Sequence, residues 1–247
     1  MPEHGGSQVR YLKAMGLLGP RLSLAHSVWM ASDEIELMAE AGANAVLCPA
    51  GNLKTKSGIA PARGYIESGV NLGLGCDNCS CGDAQNMFQA MKLLCGLAAV
   101  FDPEPGPPSA ADAMRIATVG GARAAGLDGK VGAIQVGMKA DISILDLASL
   151  ALVPLNSAAR QLVFAEGGAG VETVIVAGQI VVEERRLMTI DEVALRQTVE
   201  DVMPGVRADL EIVTSRIDEI SPFLLDAWRR SWREDISLER YAGRHRE

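Results

Sequence analysis

Three residues invite a chemical reading of this chain: His26, Cys48 and Asp77. Each stands at or just past the end of a short apolar run, and they are 22 and 29 residues apart, a separation that suits one strand-plus-helix unit each. In α/β folds with parallel strands, side chains at the C-terminal strand ends line the site. An imidazole and a carboxylate there can hold a divalent ion or move a proton. Spacing alone leaves the plainer alternatives open: His26 as a hydrogen-bonded core histidine, Asp77 as a helix cap. The other two histidines, His4 and His245, sit in polar ends. The run Cys76-Asp77-Asn78-Cys79-Ser80-Cys81 has a zinc-like C-x2-C-x-C spacing. A structural zinc site closes with four ligands, so Cys48, Cys95 or Asp77 would have to complete it. Small residues packed around a strand end and a helix start are the preferred reading of this run.

The elements that must carry these residues alternate. Residues 22–26 read as a buried strand, and Ser32 as the N-cap of a helix that carries Asp33 and Glu34 in its first turn and ends at Gly42. Residues 44–48 form the next strand, stopped by Pro49, with a Gly- and Pro-containing loop after it and a short helix around 65–67. Residues 71–75 form a third strand. Ser80 or Asp83 is expected to cap the long helix through Met87, Met91, Leu94 and Leu97. This is the rhythm of parallel βα units. Residues 102–108 are a proline-rich break, and Ser109 caps a helix to Ala125 that Gly120 and Gly121 are expected to interrupt. From Gly129 the chain turns β-rich, with strands at 140–145, 171–176 and 180–182 and turns at Gly137 and Gly178. From Thr189 it reads as helical, with breaks at Pro204 and Ser221-Pro222. Trp228 and Trp232 fall one turn apart and are expected to pack on one face.

Composition bounds the classes. The 247 residues are 48% apolar and 22% charged, as in an ordinary globular protein. A net charge of −8 argues against nucleic acid or an anionic membrane as the main partner. No run approaches the ~18 apolar residues of a membrane span, and the first residues lack the apolar core of a signal peptide. Five cysteines, an odd number, point to reduced thiols. A cytoplasmic location is expected.

Several stretches together resemble the amidohydrolase superfamily, in the branch of the cytosine, guanine and S-adenosylhomocysteine deaminases and the s-triazine chlorohydrolases. They are Ala25-His26, Cys48-Pro49, Gly51-Asn52-Leu53-Lys54, the Ser-Gly-Ile-Ala-Pro run at 57–61, and the strand ending at Asp77. The segments 131–147 and 171–182 resemble that family's small β-sandwich. The resemblance runs from about residue 11 to about residue 182.

The resemblance implies an α/β fold: strands six to eight of a (β/α)8 barrel in residues 1–128, part of the sandwich in 129–188, and a helical tail in 189–247. It implies a metal-dependent hydrolase of non-peptide carbon–nitrogen bonds, deaminating a nitrogen heterocycle. Asp77 is then a metal ligand that can also accept a proton. His26 is a catalytic residue beside the attacking water or, as the runner-up role, a second ligand. Asn52 and Ser57, with Lys54, face the small-molecule substrate, or are solvated loop residues. The implied metal is zinc, with iron served by the same ligands. The family also has a His-x-His pair on strand one and a His-x-x-Glu on strand five, and neither pattern occurs here. An incomplete chain is therefore expected, one that forms a homo-oligomer or completes its barrel with a partner chain. The competing expectation is a non-catalytic fragment or subunit. A weaker third is a small zinc-binding protein built on the cysteines.

Overall fold

The computed structural model describes residues 5–231, 233 and 238–241. Three strands, β1 (Ser23–Ala25), β2 (Asn44–Leu47) and β3 (Asn71–Leu74), form a parallel sheet in that order. The register pairs Ser23 with Asn44 and Asn44 with Asn71. Its cause is polar. Asn44 is buried and donates its amide to the carbonyls of Pro20 and Leu22, while its oxygen accepts from the Asn71 amide. A slip by one residue would strand these groups in the interior, at about 1–3 kcal/mol each.

Helices connect and cover the strands: α1 (Gln8–Ala14), α2 (Ser32–Ala41), α3 (Pro49–Lys54), α4 (Ala62–Glu67), α5 (Cys79–Gly82), α6 (Met87–Phe101), α7 (Ala110–Arg115) and α8 (Gly121–Ala124), with a π-helical turn at Ile116–Gly120. Several differ from expectation. Ala31, not Ser32, occupies the cap of α2, and the Glu34 carboxylate accepts the Ala31 N–H. Pro49 ends β2 but also starts α3, since its fixed φ suits a first helical position; the expected loop is therefore a helix. Asn86 caps the long α6, whereas Asn78 caps α5 and Asp83 ends α5 at a φ of 59°. Ser109 does cap α7, and its hydroxyl holds the Asp112 carboxyl below the usual range. Gly120 and Gly121 do not interrupt the helical run. It passes through the π turn instead, pressed so close to the sheet that a Cβ on Gly120 would lie 2.0 Å from the Leu72 carbonyl oxygen. Met38, Leu47, Tyr65 and Ile116 fill the core between these layers.

A second sheet is antiparallel, in the order β4 (Ile142–Leu145), β5 (Val171–Val176), β6 (Gln179–Glu183), β7 (Arg186–Leu187). The β5–β6 hairpin turns at Ala177 and Gly178, both at positive φ, as a tight two-residue turn requires. Between β4 and β5 lies α9 (Ala158–Phe164), which the sequence did not announce. It packs on α6 and α7 and buries Val163 in the first core. The tail is one helix, α10 (Glu192–Ser231), that runs through Pro204 and Pro222 without the expected breaks. None of its described residues is buried. Trp228 is half-exposed, and its expected partner Trp232 lies outside the described residues, as do His4 and His245. The whole is a mixed α/β fold: a partial parallel sheet, a separate antiparallel sheet and a long C-terminal helix. No helix among the described residues is long and apolar enough to cross a membrane.

Candidate functional site

Parallel pairing brings the C-terminal ends of β1, β2 and β3 to one rim. His26 follows β1 directly, and its N–H still donates to the Val46 carbonyl at 2.8 Å. The chain then bends, with φ of 64° at His26 and 46° at Ser27. Asp77 lies three residues past β3 and bends likewise, at 63°. Residues other than glycine enter this region only when their surroundings hold them there. The holding groups are visible. The Tyr65 hydroxyl donates to the Ser27 carbonyl at 2.8 Å, and the Gln85 amide donates to the Asp77 carbonyl. Asp77 Oδ1 accepts the Asn78 N–H at 2.8 Å.

These bends aim His26 and Asp77 at each other across β2. Nε2 of His26 lies 3.9 Å from Oδ2 of Asp77. That is too long for a direct hydrogen bond, and short enough for both atoms to touch one atom between them. On its other side, Nδ1 of His26 is 2.8 Å from Oδ1 of Asn52, a buried residue of α3. An amide oxygen only accepts, so Nδ1 donates in this bond and Nε2 is the nitrogen left facing Asp77. The Asp77 carboxylate rests over Gly51, where a Cβ would lie 2.7 Å from Oδ2. Two consecutive residues of α3 thus serve the pair, Gly51 as clearance and Asn52 as anchor. The His26 side chain is 47% exposed and that of Asp77 20%, so the pair is open to solvent on one side.

The remaining candidates fall elsewhere. Cys48 stands at the end of β2, where burial first and the Asp77 carboxylate second push its thiol up, which suits a packing residue better than a nucleophile. The Ser57 hydroxyl bonds the Thr55 hydroxyl at 2.8 Å, and its carbonyl accepts from the Trp29 indole. No hydrogen bond joins the Ser57 side chain to His26 or Asp77 among the described residues. Lys54 pairs with Asp83 at 2.6 Å and reaches the Ser80 carbonyl, bracing α5. Cys79 is exposed, and Cys76 and Cys81 are half-buried around the start of α5. Among the described residues no group of three His, Cys, Asp or Glu side chains is arranged to hold a metal ion. Catalytic zinc keeps three protein ligands, so His26 and Asp77 do not by themselves fit such a centre. The partnership of Asn52 with His26 and the clearance at Gly51 were not foreseen. Both depend on α3 being a helix, and the glycine and proline around it had read as a loop.

A match to the amidohydrolase family covers residues 3–181. The 5-methylthioadenosine/S-adenosylhomocysteine deaminase of Pyrococcus abyssi is 36% identical over 190 residues, which are 77% of this chain and 44% of that protein. The 5'-deoxyadenosine deaminase of Methanosarcina mazei is 35% identical over 189 residues, 76% of this chain and 43% of that one. Among solved structures, a zinc-bound adenosine deaminase from Xanthomonas campestris superposes with a TM-score of 0.80 at 33% identity, over 84% of this chain and 47% of its own. A zinc complex of atrazine chlorohydrolase from Arthrobacter aurescens gives 0.73 at 28%, over 82% and 44%. The chain thus spans less than half the length of these relatives. Family match, relatives and fold agree: the chain belongs to the amidohydrolase family, in its deaminase and chlorohydrolase branch.

Proposed function

We propose that this chain supplies the part of an amidohydrolase site carried by barrel strands six to eight, and that the complete site hydrolytically deaminates a nitrogen heterocycle of the aminopurine nucleoside kind. The observation that carries the reading is the approach of His26 Nε2 to within 3.9 Å of Asp77 Oδ2, with Asn52 holding the imidazole from behind. Asp77 accepts a proton from the attacking water. That proton passes to the departing amine, which leaves as ammonia when the C–N bond breaks, while His26 donates from Nε2 to the oxygen newly bonded to the attacked carbon and stabilises the charge there. Asp77 is also this chain's metal ligand, with His26 as the runner-up, for zinc or iron. The ligands beyond these two come from outside the described residues, so the chain alone holds zinc weakly and turns over no substrate. Residues 1–128 are the barrel part, 129–188 the sandwich part and 189–247 the tail.

Two structural features support completion by a further barrel segment, whether covalent or as a partner chain. β1 is an edge strand of the parallel sheet, and α10 leaves an apolar face in solvent. The test supplies that segment. Co-expressed with the N-terminal half of the Pyrococcus abyssi relative, the chain is expected to release ammonia from 5'-methylthioadenosine, S-adenosylhomocysteine or 5'-deoxyadenosine. Asp77→Asn is expected to lower that rate by about 10²–10⁴-fold. A folded, stoichiometric assembly that releases ammonia from none of them, or equally fast with Asn at this position, would overturn the reading.

A further inference from the structure

The segment 238–241 returns from the far end of the chain to the site rim, and Arg240 is its buried centre. The Arg240 guanidinium donates from Nε to the Val28 carbonyl at 2.8 Å, from Nη2 to the Met30 carbonyl and from Nη1 to the Glu239 carbonyl at 3.1 Å. It lies over the Phe101 ring, 5.7 Å from the centroid. Its own carbonyl accepts the Ile59 N–H at 2.7 Å. Gly58 is correspondingly tight, since a Cβ there would lie 2.9 Å from that carbonyl oxygen. Next to it, the Tyr241 hydroxyl donates to the Lys56 carbonyl, and the Tyr241 ring packs 5.8 Å from that of Trp29.

We propose that Arg240 is a positioning residue for the site: its guanidinium fixes the backbone that presents His26. The inference rests on the reading of His26 as a member of the site. The residues after β1 leave the sheet through two consecutive left-handed conformations, at His26 and Ser27. Such a bend persists only if the residues beyond it are held. Tyr65 holds the Ser27 carbonyl, and Arg240 holds those of Val28 and Met30. Carbonyls 27, 28 and 30 are therefore all engaged, two of them by one rigid planar fork. A buried guanidinium without enough acceptors is costly. Here backbone carbonyls take the place of a carboxylate, so the charge is satisfied only when the 28–30 segment adopts this path. The Arg240 carbonyl ties that segment to Ile59, and neighbouring Tyr241 ties it to Lys56, in the loop that follows α3. Arg240 thus joins the two chain segments that hold the two ends of the His26–Asn52 hydrogen bond.

The experiment is hydrogen exchange on the full chain, compared among the parent, Arg240→Met and Arg240→Lys. In Arg240→Met, amides of residues 27–31 and the Ile59 amide are expected to exchange about tenfold faster or more, the scale of a lost charge-assisted hydrogen bond. Amides of β2 and β3 are expected to change by less than about twofold. Arg240→Lys keeps the charge but not the fork, and is expected to recover part of the protection. A general structural role would accelerate the sheet and the rim alike, and that result would overturn the proposal. An unchanged rim would overturn it as well. Exchange reads no chemistry, so a failed ammonia assay overturns the deaminase reading while the restraint on residues 27–31 is still measured, and an unresponsive rim leaves the deaminase reading standing.

Discussion

At the scale of single residues, the site depends on close geometry that residue type alone does not reveal. That His26 and Asp77 stand on one rim was legible because both follow short apolar runs and because parallel strands share a rim. Gly51 was not legible. Its meaning is a distance, the 2.7 Å between a hypothetical Cβ and Asp77 Oδ2. The fold can bear that substitution, since a carboxylate tip can swing aside. The proposed site cannot, because the tip is its functional atom. In the assembly completed by a barrel segment, Gly51→Ala is expected to lower ammonia release by about 10²-fold, the usual penalty for a displacement near 1 Å. Its urea denaturation midpoint is expected to stay close to the parent's. A large fall in midpoint with activity per folded molecule preserved would show that Gly51 serves the fold instead. Ser57 lies in the same stretch of sequence, and its hydroxyl is engaged with that of Thr55.

At the scale of elements, β2 and β3 were readable from short apolar runs ended by turn residues, because burial on both faces demands such runs; β1 was placed correctly as a strand but not as a buried one, since it lies at the sheet edge with Ser23 and Ala25 exposed. Their neighbours were harder. α3 was hidden by its proline and glycine. α9 was hidden inside a β-rich stretch, because its reason for existing is tertiary: Val163 completes the core between α6 and α7. The helical run after Ser109 teaches the same point through its glycines. Gly120 has a helical φ, so alanine there would suit the local backbone, yet its Cβ would collide with the Leu72 carbonyl. Gly121 next to it has its nearest neighbour at 3.6 Å, an ordinary contact. Gly120→Ala is therefore expected to destabilise by about 2–3 kcal/mol through overpacking. Gly121→Ala should be neutral or stabilise by up to about 1 kcal/mol. Urea unfolding of the two variants separates them; equal effects would mean that helix and sheet are not in this close contact.

At the scale of the whole molecule, the described residues build, on the proposed reading, one side of a site. The sheet places His26 and Asp77 on a common rim, and Arg240 reaches back across the chain to steady one of them. The other side is lacking in donors: no third His, Cys, Asp or Glu joins the pair among the described residues. The long α10 shows a related incompleteness in its surface. Val199, Val202, Val206, Leu210, Val213, Ile217, Ile220 and Leu224 recur at three- and four-residue spacing and remain exposed, the pattern of a face that buries against another surface. That the chain matches less than half of its relatives' length fits both facts. The lack of His-x-His and His-x-x-Glu patterns was legible in the sequence, whereas the exposed face needed coordinates. The central claim is that Asp77 and His26 are two members of a larger ligand set. Elemental analysis of the purified chain after exhaustive dialysis tests it most directly. The account predicts zinc far below one equivalent, because two ligands order a site without enough bonds to retain the ion. One equivalent of zinc retained by the chain alone would contradict it.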